Sequence, residues 1–238
     1  MSTPQEVQLP GISRPVLVRR SQKARKVRLL VRVDRHELVV PARMAWRQAE
    51  AFLISCHDWL RERDARLATR PPIDPSMIYW RGEPYQVTFS PAAARAPQFQ
   101  EGAVGVRAHD PKEARATLER HLRREAIGLL TASVQHWAAI MNVQPTSLRF
   151  GDARQRWGSC NSRGGLNLNW RLAMTPAHCL DYVVVHELAH IRHMNHGPAF
   201  WAEVERFFPA RREAEAWLKE HAHLILRRSE KSAADLRP

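Results

Sequence analysis

The chain has 238 residues, with 37 Lys and Arg against 24 Asp and Glu, which gives a formal net charge of +13. It is long enough to bury a sizeable core, as one domain or two closely joined parts, and no run of residues has the length and apolar character that a membrane span requires. The N-terminal sequence MSTPQEVQLPG lacks the apolar core of a secretion signal. These features exclude a membrane protein and predict a soluble, cytoplasmic one.

The positive charge bears on possible partners. Its excess is concentrated between Arg14 and Arg35 and again around Arg120 to Arg124. Such a field attracts polyanions, so weak association with nucleic acid through the basic surface is one expectation. No recognised nucleic-acid-binding motif accompanies the charge, and a basic surface alone does not establish specificity.

The N-terminal part of the chain predicts a β-rich subdomain with one helix, over residues 16–110, after a tail at residues 1–15. The segment Val16 to Pro41 mixes β-branched and charged residues and predicts two or three antiparallel strands. A helix is predicted over Met44 to Leu67. The proline-rich stretch that follows contains a candidate strand at Tyr85 to Phe89 and marks the junction with the next domain.

The C-terminal part predicts a second domain over residues 111–225, followed by a solvated tail at residues 226–238. A long helix from about Lys112 to Met141 precedes a short strand near Ser147 to Phe150. Two terminal helices are predicted, separated near Pro209. The order of these elements indicates an α+β architecture.

The sequence LNLNWRL alternates apolar and polar residues, which predicts a β-strand from Leu166 to Leu172. One predicted face carries Leu166, Leu168 and Trp170, and the other carries Asn167, Asn169 and Arg171.

The stretch VVVHELAHIRHMNHGPAFW, Val183 to Trp201, contains the H-E-x-x-H spacing at His186, Glu187 and His190. Residues four apart on a helix lie on one face, so both imidazoles can reach one metal ion while Glu187 lies beside it. Three valines lead directly into His186, which indicates a core helix rather than a charged surface.

The start of this helix has its own signals. Thr175 is a good N-cap and Pro176 fits the first helical position. The following apolar residues recur at helical spacing and form one stripe: Leu180, Val184, Leu188 and Ile191.

A catalytic zinc ion usually takes three protein ligands and leaves a fourth position for water. The nearest candidates for the third ligand are His193 and His196. If the helix continued through His193, three histidines on successive turns of a straight helix would not converge easily on one ion. The segment Asn195 to Pro198 indicates that the helix ends there, so a turning chain can bring His196 back over the metal. Glu203 and Glu205 remain further alternatives for the third ligand.

Glu187 has a predicted role that follows from its neighbours. Zinc lowers the pKa of a bound water, and a carboxylate beside that water can accept its proton and deliver it to a leaving group. The pattern therefore predicts a zinc-dependent hydrolase with Glu187 as general base.

Four signatures in this order resemble the YgjP-like metallopeptidase family, a zincin-type group related to the SprT-like and WLM families. They are RWGSC at Arg156 to Cys160, GGLNLNWRL at Gly164 to Leu172, then VVVHELAH and NHGPAFW. The resemblance extends to RGEPY at Arg81 to Tyr85 and covers roughly residues 20–223. It implies a zincin-like fold, with the metal-binding helix packed against a small β-sheet. It also implies a Zn²⁺ site of His186, His190 and His196, with Glu187 catalytic.

The residues around the predicted strand are candidates for substrate binding, because a strand beside the metal helix borders the substrate cleft in zincins. Asn167, Asn169 and Arg171 can contact substrate, or they can form a plain solvent-facing row. Arg154 and Arg156 flank a Gly-Ser turn and can clamp a phosphate or carboxylate. The alternative is an arginine packed on a neighbouring tryptophan.

Four residues are candidates for the group that stabilises a developing oxyanion, and the sequence does not choose between them: Tyr182, Arg156, Asn167 and His193. The cysteines Cys56, Cys160 and Cys179 are widely spaced without C-x-x-C, which predicts ordinary small buried thiols.

Three functions remain open from the sequence. A zinc metallopeptidase acting on peptides is the leading interpretation. The same zinc site can serve a nucleoside triphosphate pyrophosphohydrolase, because metal-activated water attacks carbonyl and phosphoryl centres alike. The third is a zinc-stabilised module that binds DNA or protein. The presence of Glu187 argues against this function, because a structural zinc site alone does not require a carboxylate there.

Overall fold

The structure is a computed structural model that describes residues 5–31, 35–68, 74, 76–153 and 155–226. The backbone separates into two compact units, Met1–Pro72 and Ile73–Pro238. No helix within the described ranges combines the length and the apolar character needed to cross a membrane.

The N-terminal unit contains one four-stranded sheet and two helices. Its sheet has the strand order β1-β2-β4-β3, and β2 pairs with β4 in parallel while β3 pairs with β4 antiparallel. The prediction of purely antiparallel strands is therefore wrong for the β2–β4 pair. The elements are β1 (Glu6–Val7), β2 (Val16–Ser21), β3 (Arg28–Val31), β4 (His36–Pro41), α1 (Trp46–Ser55) and α2 (His57–Ala68).

The core of this unit lies between its sheet and its helices. The single helix predicted over Met44 to Leu67 is two helices in the structure, which meet at Cys56. The backbone N–H of Cys56 donates to the carbonyls of Phe52 and Leu53 and so ends α1. The core residues come from both layers: Ile12, Val16, Leu38, Val40, Ala49, Leu53 and Leu60.

The division of the chain differs from the predicted one at both ends of the N-terminal subdomain. The segment predicted as a tail at residues 1–15 contributes β1, which pairs with β2, and the buried Ile12. The chain divides between residues 72 and 73, inside the proline-rich stretch predicted to hold the junction but well before the predicted domain boundary at residue 110. The reason is packing, since Val104 and Val106 share one core with the long helix that follows them.

The C-terminal unit begins with a second four-stranded sheet of order β5-β6-β8-β7, in which only the β6–β8 pair is parallel. The candidate strand at Tyr85 to Phe89 lies inside β6 and is confirmed. The strands are β5 (Met77–Trp80), β6 (Glu83–Ser90), β7 (Gln98–Gln100) and β8 (Ala103–Arg107).

The long helix α3 (Pro111–Met141) confirms the prediction for this segment. Its start is fixed because the Asp110 side chain accepts a hydrogen bond from the Glu113 N–H at 2.8 Å. Its end is fixed by Asn142, which adopts a left-handed conformation with φ of 50°. One stripe of α3 is buried in the core: Ala114, Leu118, Leu122, Ala126, Leu130, Val134 and Met141.

A small three-stranded sheet of order β10-β11-β9 follows α3. The strand β11 pairs antiparallel with β10 and parallel with β9. The strands are β9 (Ser147–Gly151), β10 (Gly158–Cys160) and β11 (Gly165–Asn169).

The predicted strand at Leu166 to Leu172 is shorter in the structure. The Asn169 side chain accepts a hydrogen bond from the Arg171 N–H at 3.0 Å and starts a 3₁₀-helix over Trp170–Met174. The strand alternation therefore stops at Asn169, and the predicted placement of Trp170 and Arg171 on two strand faces is wrong.

The remaining elements are α4 (Ala177–Ala189), α5 (Pro198–Phe207) and α6 (Arg211–Ile225), and the last two confirm a break near Pro209. The helix α4 contacts α3, both later helices and the strands β10 and β11. This confirms an α+β fold in which the helix with the H-E-x-x-H residues packs against a small sheet. The predicted solvated tail at residues 226–238 begins one residue too early, because Leu226 is the C-cap of α6 and is buried, and residues 227–238 lie outside the described residues.

Candidate metal centre

The helix α4 lies in the core, as its apolar stripe predicts, with Leu180, Val184 and Leu188 buried. Its start differs from the prediction by one residue, because Pro176 occupies the N-cap position and Ala177 is the first helical residue. The Thr175 hydroxyl donates to the Leu172 carbonyl at 2.7 Å instead of capping the helix.

The turn after α4 brings a third histidine onto the first two. His190 lies at the helix C-cap, and α5 begins at Pro198, so the intervening residues reverse the chain. The Nε2 atoms of His196 and His186 are 3.1 Å apart. His186, His190 and His196 each offer a nitrogen, and the three nitrogens lie within 4.8 Å of one another.

His193 does not join this cluster with its ring. Its backbone carbonyl instead accepts a hydrogen bond from Nδ1 of His190 at 2.9 Å. That contact leaves Nε2 of His190 as the nitrogen available to a metal ion.

Phe200 forms an apolar wall against all three imidazoles. Its ring centroid lies 4.9 Å from His186, 4.5 Å from His190 and 4.8 Å from His196, and its side chain is fully buried. Trp201 stacks on His196 with a centroid distance of 5.8 Å. Sequence reasoning included both aromatic residues in the NHGPAFW signature but assigned neither of them this contact.

Burial favours the neutral form of His186 and His190. It lowers the pKa of His186 to about 3, and the neighbouring rings of His190 and His196 lower it further. The pKa of His190 is also lowered, first by burial, although its hydrogen bond to the His193 carbonyl opposes the shift. Neutral imidazole is the form that binds metal ions.

A hydrogen-bonded chain from α6 reaches the outer side of His186. The Tyr182 hydroxyl lies 3.5 Å from Nδ1 of His186 and donates to Glu215 at 2.6 Å. Burial and this bond raise the pKa of Tyr182. Glu215 also accepts from Arg211, whose guanidinium lies 4.4 Å from the centroid of the Trp201 ring. Because its hydroxyl is engaged here, Tyr182 does not present a free donor for an oxyanion.

Glu187 follows His186 on α4 and is buried against β10. Burial raises its pKa to about 7, while the charge of Arg156 and the backbone N–H of Cys160 lower it and so favour the carboxylate. Gly158 permits this approach, because a Cβ there would come within 2.7 Å of Cγ and Oε1 of Glu187. The glycine of the RWGSC signature therefore has a steric role that sequence reasoning did not assign.

The two glutamates considered as alternative third ligands are bound elsewhere. Glu203 pairs with Arg192, which also donates to the Met141 carbonyl at 2.7 Å. Glu205 pairs with Arg211 at 2.7 Å. Neither carboxylate belongs to the histidine cluster.

Two of the polar residues considered for substrate binding have structural roles instead. Asn169 is 2% exposed, and its side-chain amide donates to the carbonyls of Ala153 and Arg156 at 2.6 and 3.2 Å. Arg171 is also buried and pairs with Glu119 at 2.9 Å and with Asp152. Their side chains hold the loop before β10 and the start of the 3₁₀-helix, so neither offers a polar group to a substrate.

Arg156 and Asn167 line an open groove, together with Arg149, which sequence reasoning missed. None of the histidines in the cluster lines it, so this groove adjoins the candidate metal centre through β10 without containing it. Arg154 lies outside the described residues.

Cys160 is the one cysteine near Glu187 among the described residues, and burial together with the Glu187 charge raises the pKa of its thiol. The raised pKa disfavours the thiolate, in line with the prediction of an ordinary thiol. Cys179 is buried, whereas Cys56 and Cys160 are only partly buried, so the expectation of full burial is wrong for these two.

Three convergent imidazole nitrogens and a buried carboxyl group on the same helix are typical of metal-dependent hydrolases. Comparison with protein families is more specific, because the model described as "YgjP-like, metallopeptidase domain" matches residues 25–221. The chain belongs to this metallopeptidase family.

Two crystal structures of metallopeptidase zymogens are similar to part of the chain. Abylysin of Pyrococcus abyssi is 23% identical, and the match covers 40% of this chain and 94% of abylysin, with a TM-score of 0.35. Jannalysin of Methanocaldococcus jannaschii is 25% identical, and the match covers 40% of this chain and 97% of jannalysin, with a TM-score of 0.35. No curated protein matches the chain.

Proposed function

We propose that this protein is a zinc-dependent peptidase. The observation that carries the proposal is the convergence of the nitrogens of His186, His190 and His196 beside the carboxyl group of Glu187. Three protein ligands with a fourth position left for water are the pattern of catalytic zinc sites, and imidazole suits zinc well. Membership of a metallopeptidase family supports the peptide bond as the target.

The donor set fits zinc in its chemistry and its spacing. Nitrogens bound at about 2.0 to 2.1 Å from a tetrahedral zinc ion lie about 3.4 Å apart. The 3.1 Å between Nε2 of His186 and Nε2 of His196 is close to that value. The His193 carbonyl supports the fit, because it fixes the tautomer of His190 that a metal ion requires.

Zinc in this set would supply Lewis acidity, which polarises a scissile carbonyl and makes a water molecule beside it more acidic. Glu187 accepts the proton of that water and delivers it to the leaving nitrogen. Burial raises the pKa of Glu187 to about 7 without metal, and a nearby cation lowers it again, so the carboxylate that accepts the proton is the form present at neutral pH in the loaded site. Arg156 and the Cys160 N–H favour the ionised form that accepts the proton.

The proposal is tested by zinc content and by cleavage of a fluorogenic peptide library. Glu187→Gln should retain one zinc ion and lose turnover, whereas His196→Ala should lose zinc. The matched control is His193→Ala in the same turn, because His193 contributes only its backbone carbonyl to the cluster and its variant should keep both properties. Full turnover in Glu187→Gln would contradict the proposed general base, and zinc-loaded wild-type protein that cleaves no peptide would contradict the peptidase.

A nucleoside triphosphate pyrophosphohydrolase is the second candidate, and the presence of Arg149 and Arg156 in one groove favours it. Pyrophosphate release from a panel of nucleoside triphosphates, fast in the wild type and absent in Glu187→Gln, would replace the peptidase with this function. A protein that holds zinc and performs neither reaction would support the third candidate, a zinc-stabilised binding module.

Weak nucleic-acid association is a separate proposal about the N-terminal unit. Lys23, Arg25 and Lys26 are all exposed between β2 and β3. Fluorescence anisotropy with labelled DNA should give binding that weakens steeply with salt, because the contacts would be to phosphates. Replacing the three basic residues with Gln should reduce the salt dependence, and an unchanged salt dependence would refute a role for this loop.

A further inference from the structure

The outer face of the three-stranded sheet carries a polar groove of about 460 Å³ whose lining contains none of the three clustered histidines. The residues that line it include no carboxylate and no aromatic ring. The polar groove is defined here by six of its lining side chains: Ser147, Arg149, Arg156, Ser159, Asn161 and Asn167.

Strand register places three of these side chains in one row. Asn167 on β11 lies opposite Ser159 on β10 and opposite Arg149 on β9. Its neighbours Leu166 and Leu168 are buried in the core, so Asn167 points to the opposite face of the sheet. A hydroxyl, an amide and a guanidinium therefore stand side by side on that face.

The floor of the polar groove is closely packed. A Cβ at Gly165 would lie 2.7 Å from Nδ2 of Asn161 and 2.8 Å from Oγ of Ser147. Oδ1 of Asn161 accepts hydrogen bonds from the Arg163 N–H at 2.9 Å and the Gly165 N–H at 3.0 Å. These contacts fix the Asn161 side chain before any ligand arrives.

The positive charge of the polar groove is not balanced by a carboxylate in its lining, although Arg156 also acts through its charge on the buried Glu187. Arg149 and Arg156 are both exposed, and neither forms an ion pair with a carboxylate in the part of the chain that the structure describes. Asp152, on the loop between them, is bound by Arg171. Two exposed guanidinium groups that form no ion pair within the described ranges favour an anionic ligand.

We propose that the polar groove is a subsite for acidic side chains of a peptide substrate, selected by Arg149 and Arg156. This inference rests on the proposed peptidase function. β10 is one of the two edge strands of its sheet, with Gly158 against Glu187 on one side and Ser159 in the polar groove on the other. An extended peptide that follows this edge presents alternate side chains to the two sides.

The lining favours a peptide over a nucleotide. Proteins bind nucleobases largely by stacking them on aromatic side chains, and the polar groove has none. A carboxylate can be bound by a planar guanidinium with amide and hydroxyl donors beside it, and the polar groove contains these groups.

The test compares cleavage of two fluorogenic peptides by the zinc-loaded full chain. One peptide carries Asp and Glu at alternate positions, and the other carries Asn and Gln there. We expect kcat/KM to favour the acidic peptide about tenfold or more, since hydrogen bonds to charged groups are the stronger ones. Arg149→Gln should remove most of this preference. Arg163→Gln is the matched control, because Arg163 is exposed in the β10–β11 turn outside the lining and should keep the preference.

A binding measurement separates this inference from the proposed function. Labelled acidic and neutral peptides are titrated with zinc-loaded Glu187→Gln protein, with and without Arg149→Gln, and followed by fluorescence anisotropy. Preferential binding of the acidic peptide that Arg149→Gln abolishes supports the subsite, even if the wild type cleaves neither peptide and the peptidase proposal fails. Cleavage without acidic preference, or equal losses in Arg149→Gln and Arg163→Gln, would overturn the subsite. Binding of nucleoside triphosphates in place of the acidic peptide would overturn it as well.

Discussion

Replacement of Gly158 by alanine is the sharpest test of how β10 and Glu187 fit together. The added Cβ would lie 2.7 Å from both Cγ and Oε1 of Glu187 and 2.9 Å from its Cδ. Carbon atoms in good contact are about 3.5 to 4.0 Å apart, so the strand or the carboxyl group must move by about 1 Å. Overpacking of this kind costs about 1 to 3 kcal/mol of stability.

The effect of Gly158→Ala on turnover should exceed its effect on stability. A shift of about 1 Å in a catalytic group can reduce the rate about 100-fold, which corresponds to about 2.7 kcal/mol of activation free energy. The three histidines lie on α4 and the turn after it, so zinc content should not change. The assay measures kcat on a fluorogenic peptide, zinc content and the melting temperature of the same preparation.

Gly128→Ala is the matched control for this experiment. Gly128 lies exposed inside α3, and nothing lies within 4 Å of a Cβ added there. Alanine at this position should raise the free energy of unfolding by about 0.5 to 1 kcal/mol through helix propensity and leave kcat unchanged. A Gly158→Ala protein with wild-type kcat and wild-type melting temperature would refute the close contact between β10 and Glu187.

Three further predictions concern stability. Burial raises the pKa of Glu187 from 4.5 to about 7, so metal-free protein loses stability as pH rises through that range. In urea unfolding, metal-free Glu187→Gln should therefore be more stable than metal-free wild type by about 3 kcal/mol at pH 8, and the two should be similar at pH 4. Contacts with Ser13, Arg14 and His36 hold the pKa of Asp64 well below its usual range despite burial. Asp64→Ala should therefore lower the free energy of unfolding by about 3 kcal/mol at neutral pH, and this decrease should become smaller as pH falls through the lowered pKa. Arg171→Gln leaves its two carboxylate partners without their cation and should lower the melting temperature by several degrees, and an unchanged value would contradict the buried ion pairs.

The parts of the site that local patterns determine could be predicted from the sequence. His186 and His190 follow from helical spacing, and the position of His196 follows from the Asn, Gly and Pro residues that end the helix. The structure brings these three rings together as that argument expects. The helix α3 was equally predictable, because its cap residues and its apolar stripe are adjacent in sequence.

The rest depends on contacts between distant residues. Parallel pairing of β2 with β4 is not encoded in the composition of either strand, and a hairpin is the simpler expectation for neighbouring strands. Asn169 and Arg171 continue a strand pattern in sequence, but a side-chain hydrogen bond between them starts a 3₁₀-helix and buries both. Arg149 joins the polar groove only through its pairing with Asn167 on a parallel strand.

Burial acts on Glu187 and His186 in the same chemical direction, because it favours the neutral form of each. It raises the pKa of Glu187 to about 7 and lowers that of His186 to about 3. A bound cation reverses the preference of the carboxyl group, since a nearby positive charge favours the carboxylate. With a pKa of about 7, Glu187 should therefore release about 0.9 proton when zinc binds at pH 6, and about 0.1 at pH 8. Calorimetric titration in buffers of different ionisation enthalpy measures this release, and the difference between wild type and Glu187→Gln isolates it from any proton lost by the histidines. Equal proton release by the two proteins at pH 6 would mean that Glu187 is already ionised before the metal binds, which would contradict its burial against β10.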